Sequence, residues 1–159
     1  TVAGNARLAG RTGTIATIRD GNWHHVCLTY DGSQAIGGFT LYFDGASQAI
    51  TVEYNNTPTD VANTVDFNIG ARDSTALFFD GNIDETSFFN TELSSSDVTS
   101  IYNFGAPNDI GSLNPVGWWR MGDKASFSTN WTLTDQGSGG NNGTSVSMPV
   151  GARQTDVPT

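Results

Sequence analysis

Three oxygen-bearing side chains alternate along a short segment and could together hold a cation. Asp80, Asn82 and Asp84 stand at every second position, and a strand through this segment would point all three to one side. Carboxylate and amide oxygens are ligands that Ca²⁺ accepts. The segment does not match an EF-hand loop, because its sixth position is Glu85 and not glycine. Asp80 and Asp84 are therefore predicted calcium ligands, and the alternative for Asp84 and Glu85 is a structural acidic pair beside the following helix.

Two adjacent histidines are the next candidates for a metal site. His24 and His25 follow Trp23 in a strand pattern, and neighbouring residues of a strand point to opposite faces. Two such side chains cannot easily bind one ion. Structural roles beside Trp23 are the favoured interpretation.

Carboxylates at the same segment do not predict glycoside hydrolysis. A retaining glycosidase needs two carboxyl groups about 5 to 5.5 Å apart, whereas Asp84 and Glu85 are adjacent in a strand predicted over residues 83–89 and face opposite ways. The sequence also carries no nucleophile elbow, phosphate-binding loop or His-Glu-x-x-His motif. We therefore predict that the chain is not an enzyme.

Tryptophans are the side chains best suited to stack on sugar rings. Trp118, Trp119 and Trp131 are the candidates, because flat aromatic faces beside polar groups suit carbohydrate. Trp118 and Trp119 alternate in a strand pattern, so at most one of them faces outward. Core packing is the favoured interpretation, and the glycan-binding residues stay unknown.

Composition excludes several classes of partner. The 159 residues fit one domain, and 16 acidic against 7 basic side chains give a net charge of −9, which would repel nucleic acid and anionic membranes. No segment approaches the roughly 20 apolar residues of a membrane span. Cys27 is the only cysteine, so an internal disulfide and a thiolate zinc site are both excluded.

Short apolar runs separated by turn dipeptides predict an all-β, antiparallel sandwich. The clearest hairpin joins residues 39–43 to residues 46–52 through Asp44-Gly45, which readily supplies the positive φ values of a type I′ turn. Residues 23–30 read as a central strand that is at least half-buried on both faces. One short helix is predicted near residues 95–103, with Ser94 as its cap.

Several segments in sequence order resemble the laminin G-like family, a branch of the concanavalin A-like jelly rolls that includes the pentraxins. They are Asp20-Gly21-Asn22-Trp23-His24-His25-Val26, Leu41-Tyr42-Phe43-Asp44-Gly45, Phe67-Asn68-Ile69-Gly70 and Gly81-Asn82-Ile83-Asp84-Glu85 with Phe88-Phe89-Asn90. The resemblance implies one sandwich over residues 1–159, with its core at 13–104 and a C-terminal strand and tail at 116–159. That family usually opens with about three more strands, so the chain is expected to lack its opening strands. Residues 117–123 resemble a segment that commonly opens such domains. The favoured interpretation is a tail of the kind seen in laminin G-like proteins of marine phages, and the alternatives are the start of a second copy and a strand that completes the sandwich.

The resemblance implies a non-catalytic binding or structural module. We expect a virion component of the kind found in marine phages, such as a capsid decoration, fibre or tail protein. Its expected partners are neighbouring subunits, in a homo-oligomer or a capsid, and host glycans. The alternative is a secreted or cell-surface adhesion domain that binds carbohydrate with Ca²⁺. Either role implies a virion-surface or extracellular location.

Overall fold

Antiparallel strands and one short helix make up the computed structural model, which describes residues 7–13, 18, 20–56, 66–71, 77–154 and 158. The strands are β1 Arg7–Arg11, β2 Val26–Tyr30, β3 Phe39–Phe43, β4 Ala46–Gln48, β5 Thr51–Asn56, β6 Thr86–Phe88, β7 Gly117–Trp119, β8 Ser126–Phe127, β9 Trp131–Leu133 and β10 Gly143–Thr144; the helix is α1, Ser95–Tyr102. Every strand pair is antiparallel. These elements confirm the predicted fold class. Among the described residues, no helix has the length and apolar character that crossing a bilayer requires.

The chain divides into two compact units. The first contains β1 to β5 and α1, and the second contains β6 to β10. In the first unit the strands pair in the orders β1-β5 and β2-β3-β4, and in the second they pair as β6-β7 and β10-β9-β8. The single domain predicted over residues 1–159, and the closure of its sheets into a sandwich, stay predictions.

The hairpin between β3 and β4 has the predicted turn. Asp44 has φ of 48° and Gly45 has φ of 74°, as the two central positions of a type I′ turn require. The returning strand is shorter than predicted, because β4 ends at Gln48 and the next residues belong to β5. Strand β5 pairs with β1 through Val52 opposite Gly10, so the predicted strand over residues 46–52 is two strands of different sheets.

Strand β2 lies at one edge of its described sheet, whereas the sequence pattern predicts a central strand. Thr29 is buried and Cys27 is half-buried on one face, whereas Val26 and Leu28 on the other are 55% and 59% exposed. The prediction that both faces are at least half-buried is therefore wrong. Burial raises the pKa of the Cys27 thiol, which keeps that group protonated and unreactive at neutral pH.

Helix α1 begins at a reciprocal capping box. The Ser94 hydroxyl oxygen accepts a hydrogen bond from the Asp97 N–H at 3.2 Å, and the Asp97 carboxylate accepts one from the Ser94 N–H at 3.0 Å. Val98 on the inner face is fully buried. Asn103 follows in the left-handed conformation and ends the helix. The cap and the helix predicted from the sequence are confirmed.

The second unit is organised around a buried carboxylate. Asp135 accepts backbone hydrogen bonds from Trp118 at 2.8 Å, Gly137 at 2.8 Å and Asn141 at 2.8 Å. These bonds tie the glycine-rich turn to β7, which itself pairs with β6. The segment around β7 thus pairs with a strand of its own unit. The three interpretations of this segment stay predictions.

Candidate functional site

A shallow pocket lies beside the β3–β4 turn, where the turn meets α1. Its volume is about 210 Å³, and its lining residues are Asp44, Gly45, Ala46, Thr99, Tyr102 and Phe104. The type I′ turn fixes Asp44 and Gly45, and α1 presents Thr99 and Tyr102 one turn apart. The volume is below the roughly 300 to 1,000 Å³ of pockets for drug-sized ligands. It therefore has room only for a small ligand.

Two aromatic rings form one wall of this turn pocket. The centroids of Tyr102 and Phe104 are 6.4 Å apart, with 48° between the ring planes. Phe104 is 90% exposed, and both it and Asn103 have positive φ, 56° and 43° respectively. Left-handed backbone costs a non-glycine residue roughly 1 to 2 kcal/mol. An exposed aromatic ring held at that cost is a reason to assign it a binding role.

Close packing forms the floor of the turn pocket. A Cβ atom placed on Gly45 would lie 2.7 Å from Cδ1 and 3.3 Å from Cγ of the Tyr102 ring. The backbone of the turn therefore touches the ring directly, which only glycine permits. This contact fixes the position of Tyr102 relative to the Asp44 carboxylate.

Asp44, one of the residues that line the pocket, makes three bonds to the segment before β2. Its Oδ1 accepts the backbone N–H of His25 at 2.9 Å, and its own N–H donates to the His25 carbonyl at 2.9 Å. Its Oδ2 lies 2.9 Å from Nδ1 of His24. A carboxylate offers about four acceptor directions, so these contacts leave room for hydroxyl groups of a ligand.

A second carboxylate holds the other side of the same imidazole. Oδ1 of Asp20 lies 3.1 Å from Nε2 of His24 and also accepts the Asn22 N–H at 2.9 Å. The hydrogen bond to Asp44 is the largest cause that raises the pKa of His24. Hydrogen bonds from Asn22 and His24 lower the pKa of Asp20 to about 2. His25 differs, because burial lowers its pKa.

The combination suits binding of an uncharged polar ring. Tyr102 and Phe104 offer apolar faces for the C–H face of a sugar, and Asp44 accepts hydrogen bonds from hydroxyl groups. The Thr99 hydroxyl donates to the Ser95 carbonyl at 2.8 Å, so its oxygen is oriented to accept a further bond. Mostly apolar walls with a few placed polar groups are typical of small-ligand sites.

The predicted calcium ligands lie in the second unit, away from regular strand structure. Asp80 and Asn82 are exposed, whereas Asp84 is half-buried and burial raises its pKa. Oδ1 of Asp84 accepts the N–H of Glu85 at 2.9 Å. No group of three or more His, Cys, Asp or Glu side chains within the described ranges could hold a metal ion. The assignment of Asp80 and Asp84 to calcium stays a prediction.

The strand predicted over residues 83–89 begins later. Strand β6 starts at Thr86, and Glu85 has a positive φ of 50°, so the expected alternation of Asp84 and Glu85 across a strand is wrong. The left-handed residue turns the Glu85 carboxylate toward β7, where it accepts Trp118 Nε1–H at 2.8 Å and Arg120 Nε–H at 2.8 Å. Glu85 is thus part of a structural ion pair.

The tryptophans have the structural roles that the sequence favours. Trp118 and Trp119 are buried, and the Trp119 Nε1–H donates to the Asn141 carbonyl at 3.0 Å. Trp131 is half-buried and contacts the Phe127 ring at 5.3 Å between centroids.

Sequence reasoning missed the turn pocket. It assigned Asp44 only to the turn and did not consider Phe104. The available signal was the Asn103-Phe104-Gly105 sequence directly after the helix, which puts a large aromatic ring at a position where the chain reverses.

Comparison with known families identifies the class of the protein. Residues 2–99, more than half of the chain, match the family described as the Concanavalin A-like lectin/glucanases superfamily. The chain belongs to this superfamily, which confirms the resemblance drawn from its motifs. No curated protein and no solved structure matches it.

Proposed function

We propose that the chain is a non-catalytic carbohydrate-binding module and that one sugar ring of its ligand occupies the turn pocket. The observation that carries this proposal is the pair of aromatic rings, Tyr102 and Phe104, which line a pocket of about 210 Å³ together with Asp44. Membership of a superfamily of lectins and glucanases supports a carbohydrate ligand.

The hydrogen-bond partners of three carboxylates support a role in binding without catalysis. Asp20 and Asp44 approach opposite nitrogens of His24, so the imidazole stands between them where a glycosidase would need the scissile bond. Glu85 is held by Trp118 and Arg120. Asp20 and Glu85 are thus held as structural hydrogen-bond acceptors, and Asp44 is the one carboxylate among the described residues that line the pocket.

The setting we propose is the surface of a virion or another particle outside the cell, among neighbouring subunits. The net charge of −9 suits a solvated exterior. An edge strand with exposed Val26 and Leu28 offers apolar surface that a neighbouring subunit could cover. Assembly is thus the second candidate function. It predicts that Leu28→Asp lowers the molar mass found by light scattering, and an unchanged mass would count against it.

The carbohydrate proposal is tested by a glycan array on the intact chain, followed by calorimetry with the best glycan. Phe104→Ala should weaken binding about tenfold, because an aromatic stacking contact contributes roughly 0.5 to 1.5 kcal/mol beyond burial. Phe78→Ala is the matched control, since Phe78 is also an exposed phenylalanine but lies in the second unit. Binding to no glycan, or equal losses in both variants, would contradict the proposal.

The same binding measurement, repeated with a chelator, distinguishes the turn-pocket proposal from the calcium-dependent alternative. Binding that disappears with a chelator and is restored by Ca²⁺ would favour an adhesion domain with ligands at Asp80 and Asp84. Binding that is indifferent to chelator would leave the turn pocket as the site and count against calcium there.

A further inference from the structure

His24 has an acidic partner on each of its two ring nitrogens. Nδ1 lies 2.9 Å from Oδ2 of Asp44, and Nε2 lies 3.1 Å from Oδ1 of Asp20. A neutral imidazole carries one N–H, so one of its nitrogens would face a carboxylate oxygen with a lone pair. Only the imidazolium, with two N–H groups, donates to both partners. The geometry therefore selects the charged form of His24.

The groups around the His24 ring also favour its charged form. Among the residues that the structure describes, the charged neighbours that contact it are Asp20, from the segment before β2, and Asp44, from the β3–β4 turn. The Phe43 ring covers one face at 4.7 Å between centroids and carries no charge. His25 follows in sequence, and burial lowers its pKa, so it adds no competing positive charge at neutral pH.

Protonation of His24 affects the wall of the turn pocket through Asp44. With the imidazolium on Oδ2 and the His25 N–H on Oδ1, both carboxylate oxygens are fixed. A neutral His24 donates to only one of the two carboxylates, and in either tautomer Asp44 loses the positive charge beside it. The Asp44 carboxylate is then no longer fixed by a charge-assisted hydrogen bond, and it carries an unneutralised charge at the pocket that this residue lines.

We propose that His24 is a positioning residue for the turn pocket, and that its imidazolium holds Asp44 in the orientation that receives sugar hydroxyls. Glycan binding is thereby coupled to pH, and it weakens as the solution becomes alkaline. This inference rests on the proposed function, because it specifies how the same pocket is regulated.

The charge state of His24 is tested first, without any ligand. Ring ¹⁵N chemical shifts of the intact chain should show two protonated nitrogens on His24 at neutral pH and a neutral ring on His25. His24 should titrate above the ordinary histidine range, in line with its raised pKa. A neutral His24 at pH 7 would overturn the inference, whatever the protein binds.

The coupling between His24 protonation and glycan binding is tested by calorimetry between pH 5.5 and pH 9. The ligand is the glycan that binds most tightly on the array. The wild type should lose about tenfold in affinity as pH rises through the His24 titration. His24→Gln should bind weakly with a flat profile. The His25 ring contacts the Tyr102 ring at 5.9 Å between centroids, so His25→Gln is compared only by the slope of its pH profile, which should match that of the wild type. Asp20→Asn removes one partner from an exposed segment, so it should move the midpoint to lower pH while the chain stays folded.

The outcomes separate the two proposals. Glycan binding whose affinity does not change with pH, or a midpoint that Asp20→Asn leaves unmoved, overturns the coupling and leaves the carbohydrate function standing. Absence of binding to any glycan overturns the proposed function and the coupling with it, while the ¹⁵N shifts still decide the charge of His24.

Discussion

Replacing Gly45 by alanine should destabilise the first unit by an amount that depends on Tyr102. The new residue would adopt φ near 74°, which costs roughly 1 to 2 kcal/mol outside glycine. Its Cβ would also lie 2.7 Å from Cδ1 and 3.3 Å from Cγ of Tyr102. Cγ lies on the axis about which the ring turns, so rotation of the ring alone cannot relieve the contact. Overpacking of this kind costs about 1 to 3 kcal/mol.

The matched control is Gly32→Ala. Gly32 has a φ of 79°, and a methyl group at that position would have no atom within 4 Å, so its substitution carries the backbone cost without the steric cost. Urea denaturation should give an unfolding free energy for Gly45→Ala that lies about 1 to 3 kcal/mol below that of Gly32→Ala, with unchanged m-values.

A double-mutant cycle decides whether Tyr102 is the cause. In a Tyr102→Ala background, Gly45→Ala should cost no more than Gly32→Ala does, because the opposing ring is gone. If Gly45→Ala and Gly32→Ala cost the same in the wild-type background, then the turn does not pack on Tyr102 and the described floor of the pocket is wrong.

Three other predictions concern the cap, the buried carboxylate and pH. Ser94→Ala should lower the unfolding free energy by about 1 kcal/mol in urea denaturation, because it removes the oxygen that caps α1; no change would mean that the capping box is not formed. Asp135→Asn should lower the unfolding free energy by about 1.5 to 3 kcal/mol in the same assay. The carboxylate accepts hydrogen bonds from backbone N–H groups through both oxygens, and the amide N–H₂ that replaces one oxygen would face such an N–H as a second donor. An unchanged unfolding free energy would refute these hydrogen bonds. The unfolding free energy measured against pH should fall on both sides of a middle range. The contribution of His24 is complete below pH 6.5 and is lost as pH rises through its raised pKa. The contribution of His25 is lost as pH falls through its lowered pKa, and that of Asp20 is lost between about pH 4 and its pKa of about 2. Stability that rises steadily into alkaline solution would contradict the bonding of His24.

Local chemistry was predictable where it depends on a few neighbouring residues. Asp44-Gly45 specified a type I′ turn because both positions tolerate positive φ, and Ser94 with Asp97 specified the start of α1 because their side chains satisfy the first N–H groups of a helix. Burial of Trp118 and Trp119 was favoured because both lie in a short apolar run.

The predictions that failed concern features that depend on neighbouring strands or on a single backbone angle. The alternation assumed for Asp84 and Glu85 fails because Glu85 is left-handed, and sequence alone gives no strong signal for that angle in glutamate. Burial of both faces of β2 depends on which strands lie beside it, and β2 is an edge strand in its described sheet. The turn pocket combines residues more than 50 positions apart, such as Asp44 and Tyr102, so spacing could not reveal it.

Backbone amide chemical shifts recorded during titration with the best array glycan test the central claim most directly. A sugar ring in the turn pocket should shift the amides of Gly45, Ala46, Thr99 and Tyr102 most strongly, and Phe104→Ala should need about tenfold more glycan to reach the same shifts. Shifts that centre on residues 80–85 or on Trp131, with the turn unchanged, would contradict the assignment of the turn pocket as the carbohydrate site.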